Sequence, residues 1–476
     1  MAVSSDLLKD VVAPLRDALE PLLRAPVPAP AAPMVGHLLD LGGLAALAAV
    51  LAGIGLGVRR LGERSAAVGL AMRAGCAVLA VGFAAWLVRN PSPGFEGLFT
   101  RWDHLALAAF GGLALEGAPG WIRKAGLVAV SLGVLLQYAG AHAVLGVGGA
   151  CLAGALLVRG PLRSRPWVLV AVQAALFVGV YVWGLRMRTG SGGFAALQVQ
   201  GLLAFAALRQ ASFLVEAVRA PRRLVDWAAY LTFYPGAFGL FGAPEVYAEF
   251  SRRNLARDAA PDPRRAVRRV ALGAAQTWLA LAIPVSVDDV LAAGGPLLAW
   301  PTAIALFLRT ALAVMGGWAL IDGVALFFGV QLRANFRGLL GCQNPSELWW
   351  AWRGTLTNWL VQHVYAPLGA RRHAVRNIAA AFAVSFLWHI AGLPFVSGDF
   401  TLVQVLPIAL WAAINGLGVV LHVTLPPTPD GGVAGHTVRT VLMWALGALT
   451  PILLHFQGPA FARFPEVFPA LLGLPR

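Results

Sequence analysis

Apolar runs long enough to cross a lipid bilayer recur along this whole sequence. Examples are the segments Leu41–Val58, Val168–Leu185 and Val270–Val287. A helix needs about 20 predominantly apolar residues to span the hydrocarbon core, and by that rule we count about eleven such runs. Of the 476 residues only 12% are charged, about half the share of a soluble protein. The sequence therefore predicts an all-α, polytopic integral membrane protein with additional interfacial or re-entrant helices.

The basic residues give the expected orientation in the membrane. A net charge of +15 on a soluble protein would favour nucleic-acid binding. Here the arginines lie in short loops between apolar runs, so the excess of basic residues in cytoplasmic loops explains them and no nucleic-acid partner is expected. The clusters are Arg59-Arg60 with Arg64, Arg159 with Arg163 and Arg165, Arg252–Arg269, and Arg371–Arg376. We expect a multi-pass protein of the inner (cytoplasmic) membrane with its N-terminus outside.

Four regions follow along the chain. Residues 1–34 are an amphipathic segment, Ser5–Arg24, and a Pro/Ala-rich linker, Ala25–Pro33; the segment predicts an interfacial helix, or alternatively a contact with a partner. Residues 35–219 predict N-terminal transmembrane helices, 220–425 a catalytic core, and 426–476 a last transmembrane helix and tail. The three cysteines, Cys76, Cys151 and Cys342, predict neither a disulfide nor a metal site.

Two segments of the predicted core depart from the pattern of a simple span. Leu224–Phe250 is apolar but broken by Pro235, Gly236, Gly239, Gly242 and Pro244, which predicts either a kinked helix or a re-entrant segment lining a site. Asp322–Gly369 is too polar to span and rich in Trp. Within it, Asn344 is a predicted helix N-cap, with Pro345 at the first helical position and Glu347 placed to close a capping box.

His389 lies inside the apolar run from about Ala379 to Phe395. An ionisable residue at membrane depth is costly and marks a functional site by default. A neutral imidazole in such a place can take a proton from a hydroxyl, which is the task of a general base. The plainer alternative is a histidine that only hydrogen-bonds to a neighbouring helix.

Five short motifs in the second half of the chain occur in a fixed order. They are Tyr230-Leu231-Thr232-Phe233-Tyr234-Pro235-Gly236 with Tyr247 and Phe250, Asn335-Phe336-Arg337, the run ELWWAWRGTLTNW from Glu347 to Trp359, Tyr365-Ala366-Pro367-Leu368-Gly369, and Leu387-Trp388-His389. Together they resemble the membrane-bound O-acyltransferase (MBOAT) family, and most closely its bacterial branch of alginate O-acetylases and the teichoic-acid D-alanyl transfer protein. The first half of the chain matches that family only in hydrophobicity.

The resemblance implies an acyltransferase with helices arranged around a central tunnel. An acyl-CoA donor, most simply acetyl-CoA, would enter from the cytoplasm. A hydroxyl acceptor on a cell-surface glycan or a lipid-linked sugar would approach from the other side or from within the bilayer. His389 would deprotonate that hydroxyl. The resemblance implies no bound cofactor or metal, and it allows a periplasmic or extracellular partner protein that completes the transfer.

The motifs also assign residues around His389. Substrate contacts would come from Asn335, Trp349, Trp352, Trp359, Tyr365 and Trp388. Arg353 would join His389 in the catalytic set. Arg333 and Arg337 would bind the donor phosphates, because guanidinium groups suit phosphate oxygens; ordinary cytoplasmic-side charge is the plainer alternative for these two.

Three departures from the family pattern keep a second function open. Arg353 stands where the family usually has His or Asn, and an arginine cannot act as a base at neutral pH. Val361-Gln362 replace a frequent Arg-Asp pair, and Asn415-Gly416 replace a frequent His-Gly, with His422 two helical turns further on. The alternative is a catalytically divergent membrane scaffold or transporter built on the same fold.

Overall fold

The computed structural model describes residues 32–89, 102–116, 118–188, 193–233, 244–255, 261–293, 295–391, 402–425, 432–453 and 471. Within those ranges the chain is helical and contains no strand, as the sequence predicts. The chain divides into two units, residues 1–40 and 41–476. Of the first unit only the start of one helix is described, so the predicted amphipathic segment Ser5–Arg24 lies outside the described residues.

Sixteen α-helices are described, joined by short 3-10 and π turns. They are α1 Ala32–Arg64, α2 Ala66–Arg89, α3 Trp102–Ala114, α4 Gly120–Leu157, α5 Pro166–Arg188, α6 Gly193–Arg219, α7 Leu224–Thr232, α8 Tyr247–Phe250, α9 Pro263–Leu281, α10 Val287–Ala292, α11 Pro296–Phe327, α12 Pro345–Ala351, α13 Gly354–Leu360, α14 Ala374–Ile390, α15 Leu402–Thr424 and α16 Gly432–Leu453.

Five of the described helices are long and apolar enough to cross a membrane. The spans are Leu41–Arg64, Ala66–Ala85, Pro166–Arg186, Pro296–Phe327 and Val405–Thr424. They confirm a polytopic membrane protein, whereas the count of about eleven spans stays a prediction. The division into regions at residues 34, 219 and 425 also stays a prediction.

The predicted run Val270–Val287 does not form one helix. Helix α9 ends at Leu281, and a new helix begins at Val287 with Ser286 as its N-cap. The side chain of Ser286 accepts a hydrogen bond from the amide of Asp289, whose carboxylate accepts one from the amide of Ser286. This reciprocal capping box stabilises a helix start where hydropathy alone indicates a continuous span. The prediction of a span over these residues was wrong in its bounds.

Helices α9 and α11 pack closely through glycines. A Cβ added at Gly316 of α11 would lie 2.5 Å from the hydroxyl oxygen of Thr277 and 2.8 Å from its backbone nitrogen. One added at Gly273 of α9 would lie 2.8 Å from the carbonyl oxygen of Gly316. Small residues permit such backbone contact between membrane helices, so this pair anchors the middle of the fold.

The predicted polar segment is a series of short helices. After α11 ends at Phe327 the chain forms only α12, α13 and short turns until α14 begins at Ala374. Asn344 caps α12 as predicted, its side chain accepting from the amide of Glu347 at 2.9 Å. The carboxylate of Glu347 accepts from the amide of Gln343 rather than from that of Asn344. The second half of the predicted capping box is therefore displaced by one residue.

Buried aromatic rings hold together the two described sides of the break that the sequence predicts. Helix α7 ends at Thr232 and α8 begins at Tyr247, with residues 234–243 outside the described ranges. The ring of Tyr230 lies 5.1 Å from that of Tyr247, and the ring of Phe233 lies 4.5 Å from that of Phe250. The hydroxyl of Tyr230 donates to the carbonyl of Glu245. These contacts explain why an aromatic residue occupies each of those motif positions.

The glycine contact between α9 and α11 makes a stability prediction. Gly316→Ala should destabilise the protein by about 1–3 kcal/mol, because the added methyl overpacks the contact with Thr277. Gly317→Ala is the matched control, since nothing lies within 4 Å of its added Cβ and the gain in helix propensity is the same. Thermal unfolding in detergent measures both. Equal melting temperatures for the two variants would contradict the close packing.

Candidate functional site around His389

His389 lies in the last turn of α14, and its ring is oriented by its own helix. Nδ1 lies 2.6 Å from the backbone carbonyl oxygen of Ser385. A carbonyl oxygen only accepts hydrogen bonds, so Nδ1 must carry the proton. In the neutral imidazole Nε2 then carries the lone pair and is the atom able to accept a proton. The fold therefore sets the tautomer that a general base needs.

Two indole rings contact this imidazole, and a third indole ring contacts one of these two. The rings of Trp388 and Trp411 each lie 5.0 Å from that of His389. Trp411 also contacts Trp349 of α12 at 5.3 Å. The buried Nε1 of Trp349 has no hydrogen-bond partner among the described residues. Because a buried donor without a partner is uncommon, this N–H is available to a ligand.

An open apolar cavity of about 340 Å³ lies between α14 and α15. Its lining includes Phe382 and Phe386 of α14 and Ala412, Ala413 and Gly416 of α15. Phe386 precedes His389 by three residues, so the cavity ends within one helical turn of the imidazole. The lining is hydrocarbon apart from backbone, which makes this approach to His389 poor in water.

Arg353 occupies a turn between α12 and α13 with an unusual backbone. Its φ is 54° and its ψ is 51°, a left-handed conformation that residues other than glycine seldom adopt. Such strain persists only where the surroundings impose it, and it concentrates at functional sites. Arg353 lies within electrostatic range of His389. The turn thus brings a positive charge towards the imidazole.

The side chain of Asn335 holds this turn. Its carbonyl oxygen accepts from the hydroxyl of Thr355 at 2.6 Å and from the amide of Thr355 at 3.3 Å. The backbone carbonyl of Asn335 accepts from the amide of Gly354 at 2.6 Å. The structure therefore gives Asn335 a positioning task next to Arg353, while its predicted contact with substrate stays a prediction.

Glu249 stands at the centre of a second polar cluster. Its carboxylate accepts from the guanidinium of Arg333 at 2.6 Å and from the side-chain amides of Gln362 at 2.7 Å and Asn358 at 3.3 Å. Burial opposes ionisation, but these donors together hold the pKa of Glu249 below its usual value. Gln362 is an amide donor to this carboxylate, which comes from another helix.

Glu245 joins the same region from the opposite direction. It is fully buried, pairs with the guanidinium of Arg253 and accepts from the backbone amide of Arg333 at 2.6 Å. Burial raises the pKa of Glu245, against the lowering effect of Arg253 and Arg333. The two carboxylates together fix residues 245–253 to the irregular stretch around Arg333.

The remaining predicted site residues lie at varied positions. Trp359 donates its Nε1 hydrogen to the carbonyl of Leu208 at 2.9 Å. Trp352 packs against Phe336 with ring centroids 5.7 Å apart. Tyr365 ends the turn that follows α13, and Arg337 is exposed. The substrate and phosphate contacts assigned to these residues stay predictions.

Several residues of the cluster had no motif to mark them. Trp411 and Glu249 contact predicted site residues only because the chain folds, whereas Ser385 lies one helical turn before His389 on α14. Trp411 could have been noticed, because it lies four residues before Asn415 on one face of a helix. Asn415 itself is buried and donates to the carbonyl of Trp411 at 2.8 Å. His422 is exposed on the same helix.

Comparison with known proteins finds a family similar to part of the chain. The family model "MBOAT, membrane-bound O-acyltransferase family" matches residues 178–397. A peptidoglycan O-acetyltransferase of Helicobacter pylori is 26% identical over 128 residues, which is 26% of this chain and 22% of that protein. A protein of Pseudomonas fluorescens named "Probable alginate O-acetylase AlgI" is 23% identical over 255 residues, 49% of this chain and 50% of that protein. The corresponding Pseudomonas aeruginosa protein is 22% identical over 268 residues, 53% of this chain and 47% of that protein.

Over residues 178–397 the chain is similar to the membrane-bound O-acyltransferase family, and the relatives given above are named as bacterial O-acetylases or O-acetyltransferases. The matched region contains the break after α7, the Asn335 loop, the Arg353 turn and His389. The chain spans about half or less of the length of these curated relatives. The substrates in the names of those proteins therefore belong to those proteins and are not assigned to this chain.

The hydrogen bonds from Thr355 to the side chain of Asn335, which we call the Asn335 clamp, make a second stability prediction. Asn335→Ala should cost about 1–3 kcal/mol, because the buried hydroxyl and amide of Thr355 lose their acceptor. Thr355→Ala should cost a similar amount, and the double variant should cost less than the sum, since both changes remove one interaction. Thermal unfolding of the three variants measures the coupling. Strictly additive losses would show that Asn335 does not hold the turn.

The Glu249 cluster makes a prediction about pH. The folded-state pKa of Glu249 is lowered, so its stabilisation is complete above the unfolded value of about 4.3 and is lost as pH falls through the folded value. Glu249→Gln should therefore melt below wild type near neutral pH, and the gap should narrow on acidification. Melting temperatures between about pH 7 and about pH 3.5 measure this.

The exposed Glu63 provides the control for that experiment. Glu63→Gln should follow the wild-type profile at every pH, because this carboxylate is not in the cluster. A gap between Glu249→Gln and wild type that stays constant with pH would contradict an ionised, clamped Glu249.

Proposed function

We propose that this chain is a membrane O-acyltransferase. It moves an acyl group, acetyl in the simplest case, from a cytoplasmic acyl-CoA to a hydroxyl of a cell-surface glycan or a lipid-linked sugar. The observation that carries the proposal is the orientation of His389, whose Nδ1–H donates to Ser385 and leaves Nε2 as the base. The similarity to the family and the acetyl acceptors in the relatives' names support it.

The proposed reaction needs one proton carrier and one acyl transfer. Nε2 of His389 takes the proton of the acceptor hydroxyl while its oxygen attacks the thioester carbonyl. The tetrahedral intermediate collapses, the carbon–sulfur bond breaks, and the thiolate of CoA leaves and receives a proton from the imidazolium. Base catalysis of this kind contributes about 10²–10⁴-fold to the rate. The apolar cavity next to Phe386 limits water and so limits hydrolysis of the thioester.

Arg353 and Trp349 have separate proposed tasks. Arg353 cannot serve as a base, but its charge near His389 suits an acyl carbonyl on which negative charge develops. Trp349 offers an N–H without a partner among the described residues, which is the donor that a bound carbonyl or hydroxyl requires. Both residues keep the roles that the sequence predicts, Arg353 in catalysis and Trp349 in substrate binding.

Donor phosphates would meet the exposed Arg337 first. Arg333 is already paired with Glu249, so a phosphate would share it. Substrate contacts from Trp352, Trp359, Trp388, Tyr365 and Asn335 remain part of the proposal, as does a periplasmic or extracellular partner protein that completes the transfer.

The proposed orientation places the arginine-rich side in the cytoplasm and the N-terminus outside. Contacts between basic clusters support a common side. The guanidinium of Arg59 donates to the carbonyl of Pro261 at 2.6 Å, which joins the first cluster to the loop before α9. Arg163 donates to the carbonyl of Val218 at 3.1 Å, which joins the second cluster to the end of α6.

A second candidate function is a non-catalytic scaffold or a transporter on this fold. Arg353 and Asn415 favour it, because Arg353 stands where the family usually has His or Asn and Asn415 where it frequently has His. Purified protein with labelled acetyl-CoA separates the two candidates. A scaffold would neither bind acetyl-CoA nor release CoA, whereas the acyltransferase does both.

The test of the base is a comparison of two histidines. His389→Gln and His389→Ala should reduce acetyl transfer from labelled acetyl-CoA by about 10²–10⁴-fold, while binding of the donor and the amount of folded protein stay near wild type. His422→Ala, an exposed histidine on α15, should retain full transfer. Full acceptor acetylation by both His389 variants in cells without the native protein would exclude His389 as the base.

A further inference from the structure

A tyrosine hydroxyl of α5 reaches the end of the helix that carries His389. The hydroxyl of Tyr181 donates a hydrogen bond to the backbone carbonyl of Ala391 at 2.9 Å. Ala391 is the C-cap of α14 and follows His389 by two residues. Neither the sequence motifs nor the proposed reaction gives Tyr181 a task. The bond is therefore an additional contact to the helix of the proposed base.

Tyr181 belongs to the inward face of α5. Residues of this helix at helical spacing are buried or half-buried: Leu169, Gln173, Phe177, Tyr181 and Gly184. Residues on its other side are exposed: Trp167, Val170, Val178 and Val182. Hydrocarbon offers no hydrogen-bond partner, so a hydroxyl in a membrane span finds its partner within the protein. The carbonyl of Ala391 is such a partner.

The bond restrains the last turn of α14. The final carbonyls of a helix have no partner inside the helix, and helix ends fray. The amide of Ala391 closes the turn by donating to the carbonyls of Leu387 and His389. Because Tyr181 holds the carbonyl of the same residue, the end of this turn is tied to a neighbouring helix.

The orientation of His389 depends on that turn. Nδ1 of His389 reaches the carbonyl of Ser385 because the two residues are one helical turn apart. If the turn opened, the ring would lose this acceptor, and the proton would no longer be confined to Nδ1. A bond that prevents opening at Ala391 therefore acts on Nε2 without touching the reacting atoms.

The contact also agrees with the proposed orientation of the helices. Helix α5 follows the basic cluster that ends at Arg165, and α14 follows the cluster Arg371–Arg376. Both clusters lie in the cytoplasm in that orientation, so both helices end on the opposite side. Tyr181 and Ala391 are near those two ends, where a hydrogen bond between them requires them to be.

We propose that Tyr181 is a positioning residue for acyl transfer. Its hydroxyl holds the last turn of α14 and thereby keeps Nε2 of His389 in the orientation of a base. This inference rests on the proposed function, because it takes His389 to be that base.

The first experiment measures acetyl transfer by Tyr181→Phe, which removes the hydroxyl and keeps the ring. Its kcat per folded protein should fall about two- to tenfold, the effect of one neutral hydrogen bond, while KM for acetyl-CoA stays near wild type. Thr437→Val is the matched control, since on α16 it removes a hydroxyl that donates to the carbonyl of Val433; its kcat should equal that of wild type. A wild-type kcat for Tyr181→Phe would overturn the proposal.

The second experiment observes the imidazole without any substrate. Protein with isotope-labelled nitrogen in its histidine rings shows the tautomer of each ring by NMR, and the signals missing from His389→Gln identify His389. Wild type and Thr437→Val should carry the proton on Nδ1, whereas Tyr181→Phe should show a mixture of both tautomers. An unchanged His389 signal in Tyr181→Phe, with only a lower melting temperature, would reduce Tyr181 to a structural role and overturn the proposal.

The two experiments separate this inference from the proposed function. A wild-type protein that transfers no acetyl group would contradict the proposed function, and the NMR comparison would still decide whether Tyr181 positions the ring. Acetyl transfer by wild type, with no change of kcat or tautomer in Tyr181→Phe, would leave the proposed function intact and contradict the role of Tyr181.

Discussion

One buried and one half-buried carboxylate hold the irregular part of this membrane protein together. Glu245 pairs with Arg253 and accepts from the amide of Arg333, while Glu249 pairs with the Arg333 guanidinium. Backbone that is not helical carries unsatisfied polar groups, which a bilayer does not tolerate without internal partners. These bonds, together with those between Asn254 and Gln331, fix the chain between α11 and α12. This fixed stretch of chain in turn positions the Asn335 clamp, the Arg353 turn and the approach to His389.

The surroundings of Glu245 and Glu249 differ in whether they favour the charged form of the carboxylate. Burial works against a charged Glu245, whereas Glu249 is favoured as a carboxylate by Arg333, Gln362 and Asn358. Gln362 donates without bringing a charge of its own. At Val361-Gln362 this chain lacks the Arg-Asp pair of the family pattern. Gln362 still connects α8 to the turn after α13, because it binds the carboxylate of Glu249. The divergence from the family pattern at Gln362 is thus accommodated within the fold.

Features that depend on neighbouring residues could be predicted from the sequence. Long apolar runs predicted a membrane protein, the Pro/Gly-rich stretch predicted a break after α7, and Asn344 with Pro345 predicted the start of α12. The role of His389 as a base, which its place in an apolar run indicates, stays a prediction. Features that depend on distant residues could not be predicted. Trp411 meets His389, and Glu249 meets Gln362, only because several helices pack together. The start of a new helix at Val287 was missed because a local capping box outweighs hydropathy.

The bond between His389 and Ser385 has a consequence for variation within the family. The acceptor is a main-chain oxygen one turn back on the same helix, so it is present whichever amino acid occupies position 385. Many catalytic histidines depend on a carboxylate that a single substitution can remove. Here the helix itself sets the proton position on His389, so this orientation does not depend on the side chains at Arg353 or Asn415.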